Sequence, residues 1–255
     1  MTRRVRLTVG YDGTNYAGWQ WQLNAVSVQQ CLEQALAKAV GTPIKCTGAS
    51  RTDAGVHALG QVVHFDTDAS IPPEKYPFAL NSLLPSDIRV FSGQEADECF
   101  HARFDATAKC YTYSFINAPH MNPMKRLVSL HVPGHLQLDC MQEALPALTG
   151  RHDFAAFQAT GGTAKTTIRN IEAASLSITG DEITFTIRGN AFLYNMVRII
   201  AGTLIAVGME KAPVHCFTEA FQTHSRLSLG PTAPAHGLCL QSVSYELAQP
   251  HTNRD

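Results

Sequence analysis

The stretch Gly48–Phe65, GASRTDAGVHALGQVVHF, constrains this chain more than any other. Gly48, Gly55 and Gly60 punctuate it, and glycine is the residue that takes positive φ or lets a second backbone come close. Between the glycines stand Arg51, Thr52, Asp53 and His57, with no run of large apolar residues. Val62–Phe65 then reads as a strand. The middle is therefore a loop held between sheet segments. An arginine two residues before an aspartate can present a guanidinium and a carboxylate to one cleft. The same residues also fit a plain hairpin connection, with Asp53 closing an Asx-turn and Arg51 solvated.

The flanking pattern predicts what holds the loop. Arg3–Val9 alternates, with Val5, Leu7 and Val9 on one face of a half-buried strand. YDGTNYAGWQWQ follows as a turn that packs Trp19 on the core. Ser27–Val40 is a helix, with Ser27 as cap and Gln30 completing a capping box. Val28, Cys31, Leu32, Ala35, Leu36 and Val40 form its apolar stripe, and Gly41 with Pro43 stops it. Ile44–Thr47 leads into the loop as a short strand. Pro72-Pro73 opens a helical stretch to Leu84, and Ile88–Phe91 is a strand.

A comparable plan recurs after the crossing Phe100–Ala108. Tyr111, Tyr113 and Phe115 alternate along a strand with one aromatic face. Asn117–Pro133 is an irregular excursion. Asp139–Thr149 is helical, with Asp139 and Gln142 at capping-box spacing and a kink or early end at Pro146. Thr160–Thr167 is a loop, and Gly180-Asp181 joins the strands Ile171–Thr179 and Glu182–Gly189. Phe192–Val207 is a helix, capped by Asn190 and ended by Gly208, with Phe192, Met196, Ile199, Ile200, Leu204 and Val207 buried. Arg198 lies off that stripe, and small Ala201 and Gly202 let something approach it. Gly237–Tyr245 is the last strand, and the polar tail beyond it frays. The expected class is α+β: two similar split β-α-β domains, 1–106 and 107–255, sharing a mostly antiparallel sheet with helices on one face.

Composition narrows the function. No run of about eighteen apolar residues is present, so no membrane span is expected. The N-terminus runs straight into a strand pattern without a signal-peptide core, which predicts a cytoplasmic protein. Seven cysteines have no CxxC spacing, and eleven histidines form no zinc pattern, so no metal site is expected. A net charge of −1 disfavours one large basic footprint. A nucleic-acid partner would require the cations to be gathered in one place.

SRTDAGVHALGQ resembles the signature loop of the tRNA pseudouridine synthase A family. YDGTNYAGWQWQ, NSLLPSDIRV, FHARFDATAKCYTY, GRHDFAAF and AFLYNMVRIIAGTL resemble further segments of that family, so the likeness runs from about residue 7 to 245. It implies the pseudouridine synthase fold and isomerisation of uridine to pseudouridine at positions 38, 39 and 40 of the tRNA anticodon stem-loop. It implies no cofactor, and a homodimer with tRNA as partner. Carried onto this sequence, Asp53 is the catalytic carboxylate, as nucleophile or general base. Arg198 is its salt-bridge partner and holds its pKa down. Tyr111 stacks on the target base and takes part in proton transfer. Arg51 binds substrate, at a phosphate or where the flipped nucleotide left the stack. His57, His64 and His152 take structural or RNA-contact roles. Cys110 and Tyr194-Asn195 depart from the family pattern. Two other readings compete. One is a non-catalytic RNA-binding module using the Tyr111-Tyr113-Phe115 face. The other is a glycoside or nucleoside hydrolase, which would want a second carboxylate.

Overall fold

The computed structural model of the chain describes residues 2–246. The tail expected to fray, 247–255, lies outside the described residues. In chain order the elements are β1 (Arg3–Tyr11), α1 (Val28–Val40), β2 (Thr47–Gly48), β3 (His57–Thr67), α2 (Tyr76–Asn81), β4 (Ile88–Ala96) and β5 (Ala106–Ile116). Then come β6 (Leu130–His131), α3 (Leu138–Ala144), β7 (Gly150–Asp153), β8 (Ile168–Thr179), β9 (Glu182–Gly189), α4 (Met196–Gly208), α5 (Cys216–Thr223) and β10 (Leu238–Tyr245).

All the strands join one sheet in the order β4-β1-β3-β10-β5-β9-β8-β7, with β2 on β3 and β6 on β5. Neighbours along that path are antiparallel except at one place. There β10 runs parallel to β3, through Cys239 opposite His57 and Leu240 opposite Ala58. The last strand among the described residues thus stitches the strands before Phe100 to those after it. Two paired positions are a short ladder, and the candidate site sits beside it.

Strand alternation sorts the two faces. Val63 and Phe65 of β3 enter the main core, which also takes Leu32 and Leu36 of α1, Leu80 of α2, Met141 of α3, Ile199 and Leu204 of α4 and Phe217 of α5. Val62 points the other way, into a small cluster with Ala49 and Ala102. The helices therefore cover one face. Each fully buried Leu or Phe there stabilises the fold by roughly 1.5–3 kcal/mol relative to exposure. Tyr111, Tyr113 and Phe115 are part of this core. Tyr113 and Phe115 are fully packed and Tyr111 is 8% exposed, so the face is not the open multi-base platform that the RNA-binding-module reading needs.

Several local expectations are corrected. The capping box on α1 is half made: Ser27 Oγ accepts from Gln30 N at 3.2 Å, but Gln30 Oε1 is buried without a partner. The strand expected over Ile44–Thr47 shrinks to Thr47–Gly48. Side chains of α1 take its backbone instead: Glu33 Oε1 accepts from Cys46 N, and Gln29 Nε2 donates to Cys46 O. β3 starts earlier than expected, at His57. The stretch after Pro72 splits into a 3-10 turn, Pro73–Lys75, and the short α2. Asp139 does not cap α3 but lies in its first turn, and Pro146 enters a 3-10 turn that ends the helix early. α4 begins at Met196, not Phe192, because Asn195 adopts the left-handed conformation, φ 60°. Asn190 serves a different junction, accepting from Asn170 N and Ala191 N. Every residue of α4 is buried except Arg198. All seven cysteines are unpaired. Among the described residues no helix is long and apolar enough to cross a membrane.

Candidate active site

The loop between β2 and β3 has little regular backbone pairing of its own, and side chains supply the bonds. The fully buried Gln61 on β3 holds Ser50 at both ends, its Oε1 accepting from Ser50 N at 3.0 Å and its Nε2 donating to Ser50 O at 2.7 Å. Lys109 Nζ donates to Ala49 O at 2.7 Å. Thr52 Oγ1 shares a 2.8 Å hydrogen bond with the Tyr11 hydroxyl.

The turn after β1 clamps the far side. Trp19 N donates to Thr52 O at 3.0 Å, and Gly55 N donates to Tyr16 O at 3.3 Å. Gly18, at φ +87°, must be glycine for this approach, since a Cβ there would stand 2.4 Å from Thr52 O. The YDG…GWQ segment is thus the cradle of the Asp53 loop. His57 belongs to the same scaffold: its Nδ1 accepts from Gly13 N at 3.0 Å, and its Nε2 meets Leu127 O at 2.9 Å. His64 Nδ1 accepts from Ala102 N, and His152 stacks on Phe221. These contacts give all three histidines structural work.

Asp53 and Arg198, 145 positions apart, meet across the β3–β10 seam with Oδ2 and Nη1 separated by 3.5 Å. Their side chains are 27% and 18% exposed, so the pair is sheltered yet open to a ligand. Arg198 is held from several sides. Its Nε donates to Ala233 O at 2.8 Å and its Nη1 to Asn195 Oδ1 at 2.8 Å, while Ala233 N donates to Arg198 O at 3.0 Å. What approaches the guanidinium past the small residues is the chain's own Pro231–Ala233 strap. A Cβ on Gly202 would stand 1.8 Å from Pro231 O. The departure at Asn195 is explained by its two tasks. It takes the left-handed conformation that starts α4, which Asn tolerates, and it orients Arg198.

The expected lowering of the Asp53 pKa is corrected. Burial pushes the carboxyl above its ordinary value, and the charge and hydrogen bond of Arg198 pull it down without cancelling that rise. At 3.5 Å the ion pair is long, which limits its pull. Tyr111 is 8% exposed, shares a 2.7 Å hydrogen bond between its hydroxyl and Ser50 Oγ, and meets Phe192 edge-on at 5.2 Å. Burial first, and then the Asp53 charge, raise its pKa to about 12, so its hydroxyl stays protonated. Cys110, just before Tyr111, points to the opposite strand face, so that departure does not reach the site.

Arg51 is exposed and takes part in no ion pair among the described residues. Its charged neighbour is Arg103, whose pKa is lowered by burial and then by Arg51. Arg103 in turn helps burial bring Lys109 down to about 8. Arg51, Arg103 and Lys109 thus form a cluster of three cations beside the loop. Sequence reasoning missed Ser50, Gln61, Arg103 and the strap. A buried glutamine in the run GQVVHF was the available signal. Among the described residues no group of three or more His, Cys, Asp or Glu side chains could hold a metal ion.

A family model described as tRNA pseudouridine synthase matches residues 7–105 and 144–246. A tRNA pseudouridine synthase A from Ruminiclostridium cellulolyticum is 48% identical over 244 residues, covering 95% of this chain and 100% of that protein. One from Geobacter sulfurreducens is 46% identical over 243 residues, with 95% and 100% covered. Of solved structures, a Cbf5-Nop10-Gar1 complex aligns at a TM-score of only 0.34 and 10% identity, over 92% of this chain and 57% of that one. With both halves matched by one model and relatives aligned over nearly its whole length, the chain belongs to the tRNA pseudouridine synthase family.

Proposed function

We propose that this protein isomerises uridine to pseudouridine at positions 38, 39 and 40 of the tRNA anticodon stem-loop, with Asp53 as its catalytic carboxylate. The uracil leaves its sugar, turns, and rejoins it through carbon instead of nitrogen. The atoms of substrate and product are the same, so the reaction calls for no oxidant and no water. The observation that carries the reading is the Asp53–Arg198 pair, two partly sheltered charges brought to 3.5 Å from opposite halves of the sequence.

Asp53 acts as an anion, attacking the anomeric carbon or taking a proton from the neighbouring ribose carbon. Arg198 keeps the carboxylate ionised and aimed. Burial makes that anion less solvated than an ordinary carboxylate and so more reactive. Tyr111 lies under the loop, where its ring supports the extruded base and its protonated hydroxyl can exchange a proton at the base carbon. Arg51, exposed at the rim, contacts the RNA from which the base was drawn. The division at residue 106 gives the carboxylate to the domain 1–106 and Tyr111 with Arg198 to the domain 107–255.

The protein works in the cytoplasm as a homodimer. The sheet face opposite the helices offers apolar surface for a second copy, with Leu59 56% and Phe91 57% exposed there. The deciding experiment incubates the protein with unmodified tRNA transcripts and maps pseudouridine by position, with Asp53→Asn as control. Product at 38–40 from the wild type alone is expected. Product from Asp53→Asn, or release of free uracil, would overturn the reading.

A further inference from the structure

A polar hollow of about 250 Å³, which Asp53 does not line, is formed by Arg151, Thr166, Ile168, Arg169, Asn170 and Asn190. It holds two cations and three neutral hydrogen-bonding side chains, and no carboxylate. Arg169 is anchored on one side only. Its Nη1 donates to Ile168 O at 2.6 Å and Thr166 Oγ1 at 3.3 Å, while its Nε is buried with no partner. A buried donor left unmade is costly, and an acceptor placed in the hollow would relieve it. Asn190 Oδ1 is fully occupied by two backbone N–H groups. Its amide nitrogen, a double donor, makes no hydrogen bond among the described residues. The site offers more donors than acceptors and two positive charges with no negative one, the pattern that suits an oxyanion.

Its position bears on what that anion is. Gly189 of β9 pairs with Lys109 on one side and with Ile171 of β8 on the other. Two strand spacings put the hollow about 10 Å across the sheet from Lys109, at the end where Arg51 and Arg103 gather. Successive phosphates on one nucleic-acid strand lie roughly 3.4 Å apart along the axis, so the separation spans a few nucleotides.

We infer that this hollow is a phosphodiester-binding site, gripping the tRNA strand a few nucleotides from the one in the active site. The inference rests on the proposed function for its ligand. Arg169 and Arg151 hold the phosphate oxygens, and Asn190 adds its amide donors. Such a contact fixes the register of the strand without reading bases.

The test compares wild type with Arg151→Glu/Arg169→Gln, measuring binding of an unmodified tRNA transcript across a salt series, alongside steady-state kinetics. The double variant should bind at least tenfold more weakly. Its log–log salt slope should flatten by about 1 for each phosphate no longer held. KM should rise at least tenfold with kcat moving less than twofold. Inorganic phosphate at matched ionic strength should weaken tRNA binding more in wild type than in the variant. Should Arg169→Gln melt early, Arg151→Glu, on an exposed side chain, decides by the same measurements. Unchanged affinity and slope, with wild type active, would overturn this site while leaving the catalytic reading intact. A wild type that makes no pseudouridine, yet binds RNA more tightly than the variant, would do the reverse.

Discussion

The two sides of the Asp53–Arg198 pair are built by opposite means. Asp53 rides on a loop whose backbone is tied down by side chains, namely Gln61, Lys109 and Tyr11 through Thr52. Arg198 projects from α4, a helix buried everywhere except at Arg198 itself. Hydrogen bonds contribute about 1 kcal/mol each and are directional, whereas apolar burial is larger and indifferent to angle. The loop under the carboxylate is thus placed by orientation-sensitive contacts and the helix under the guanidinium by bulk packing, with Ala233 O and Asn195 Oδ1 aiming the guanidinium itself. Damage to the loop should cost geometry before stability, and damage behind α4 should cost stability before geometry.

The largest expected effect removes the carboxylate. Asp53→Asn should lower pseudouridine formation by at least ~10³-fold, with tRNA affinity retained. It should also melt slightly higher than wild type at neutral pH. A carboxyl whose folded pKa is raised favours the fold while protonated and loses that contribution as pH climbs through the raised value. The ionised group therefore costs stability at pH 7, and the amide does not. A lower melting temperature would show that the loop depends on the charge.

Next in size is Arg198→Met, expected to cost ~10²-fold in kcat/KM. With the cation gone, burial acts on Asp53 unopposed, so the acid limb of the pH–rate profile should move to higher pH. An unmoved limb with reduced rate would mean that Arg198 aims the carboxylate without tuning it.

Two alanines test the contrast directly. Gly202→Ala drives a Cβ against Pro231 O of the strap packed on α4 and should destabilise by roughly 3 kcal/mol. Gly18→Ala pushes the cradle off Thr52 O and should cost about tenfold in kcat with a smaller change in melting temperature. Equal losses of stability in both would erase the distinction between loop and helix.

These tests aim at features the sequence carried unevenly. The loop, the stripe on α1 and the hairpin at Gly180-Asp181 were legible because each is written in neighbouring residues. The start of α4 was not, because it turns on Asn195 adopting a left-handed backbone within an apolar run. Nor was the direction of the Asp53 pKa. It depends on how much protein surrounds the carboxylate and how far away Arg198 stops, and both are set by the β3–β10 seam. The half-made cap at Ser27 shows the same limit, since spacing allowed a reciprocal bond that the surrounding packing did not make.

The smallest effect probes the rear of the loop. Ala49 at its base packs with Val62 and Ala102, and Ala102 N donates to His64 Nδ1 at 3.1 Å. That bond requires a neutral ring nitrogen. Burial, then the charges of Arg4 and His101, depress the His64 pKa from 6.5 to about 4. The unfolded chain takes up this proton near its ordinary pKa and the folded one does not. Stability from His64 is therefore complete above pH 6.5 and drains away as pH falls toward 4, by roughly 1 kcal/mol at pH 5 once solvent screening is allowed for. His64→Asn keeps an acceptor near Ala102 N but cannot titrate, so its melting temperature should fall less than that of wild type between pH 7 and pH 5. Equal slopes would mean that Ala102 tolerates the imidazolium. The loop would then be anchored from behind by apolar contact alone, closer to the way α4 holds Arg198.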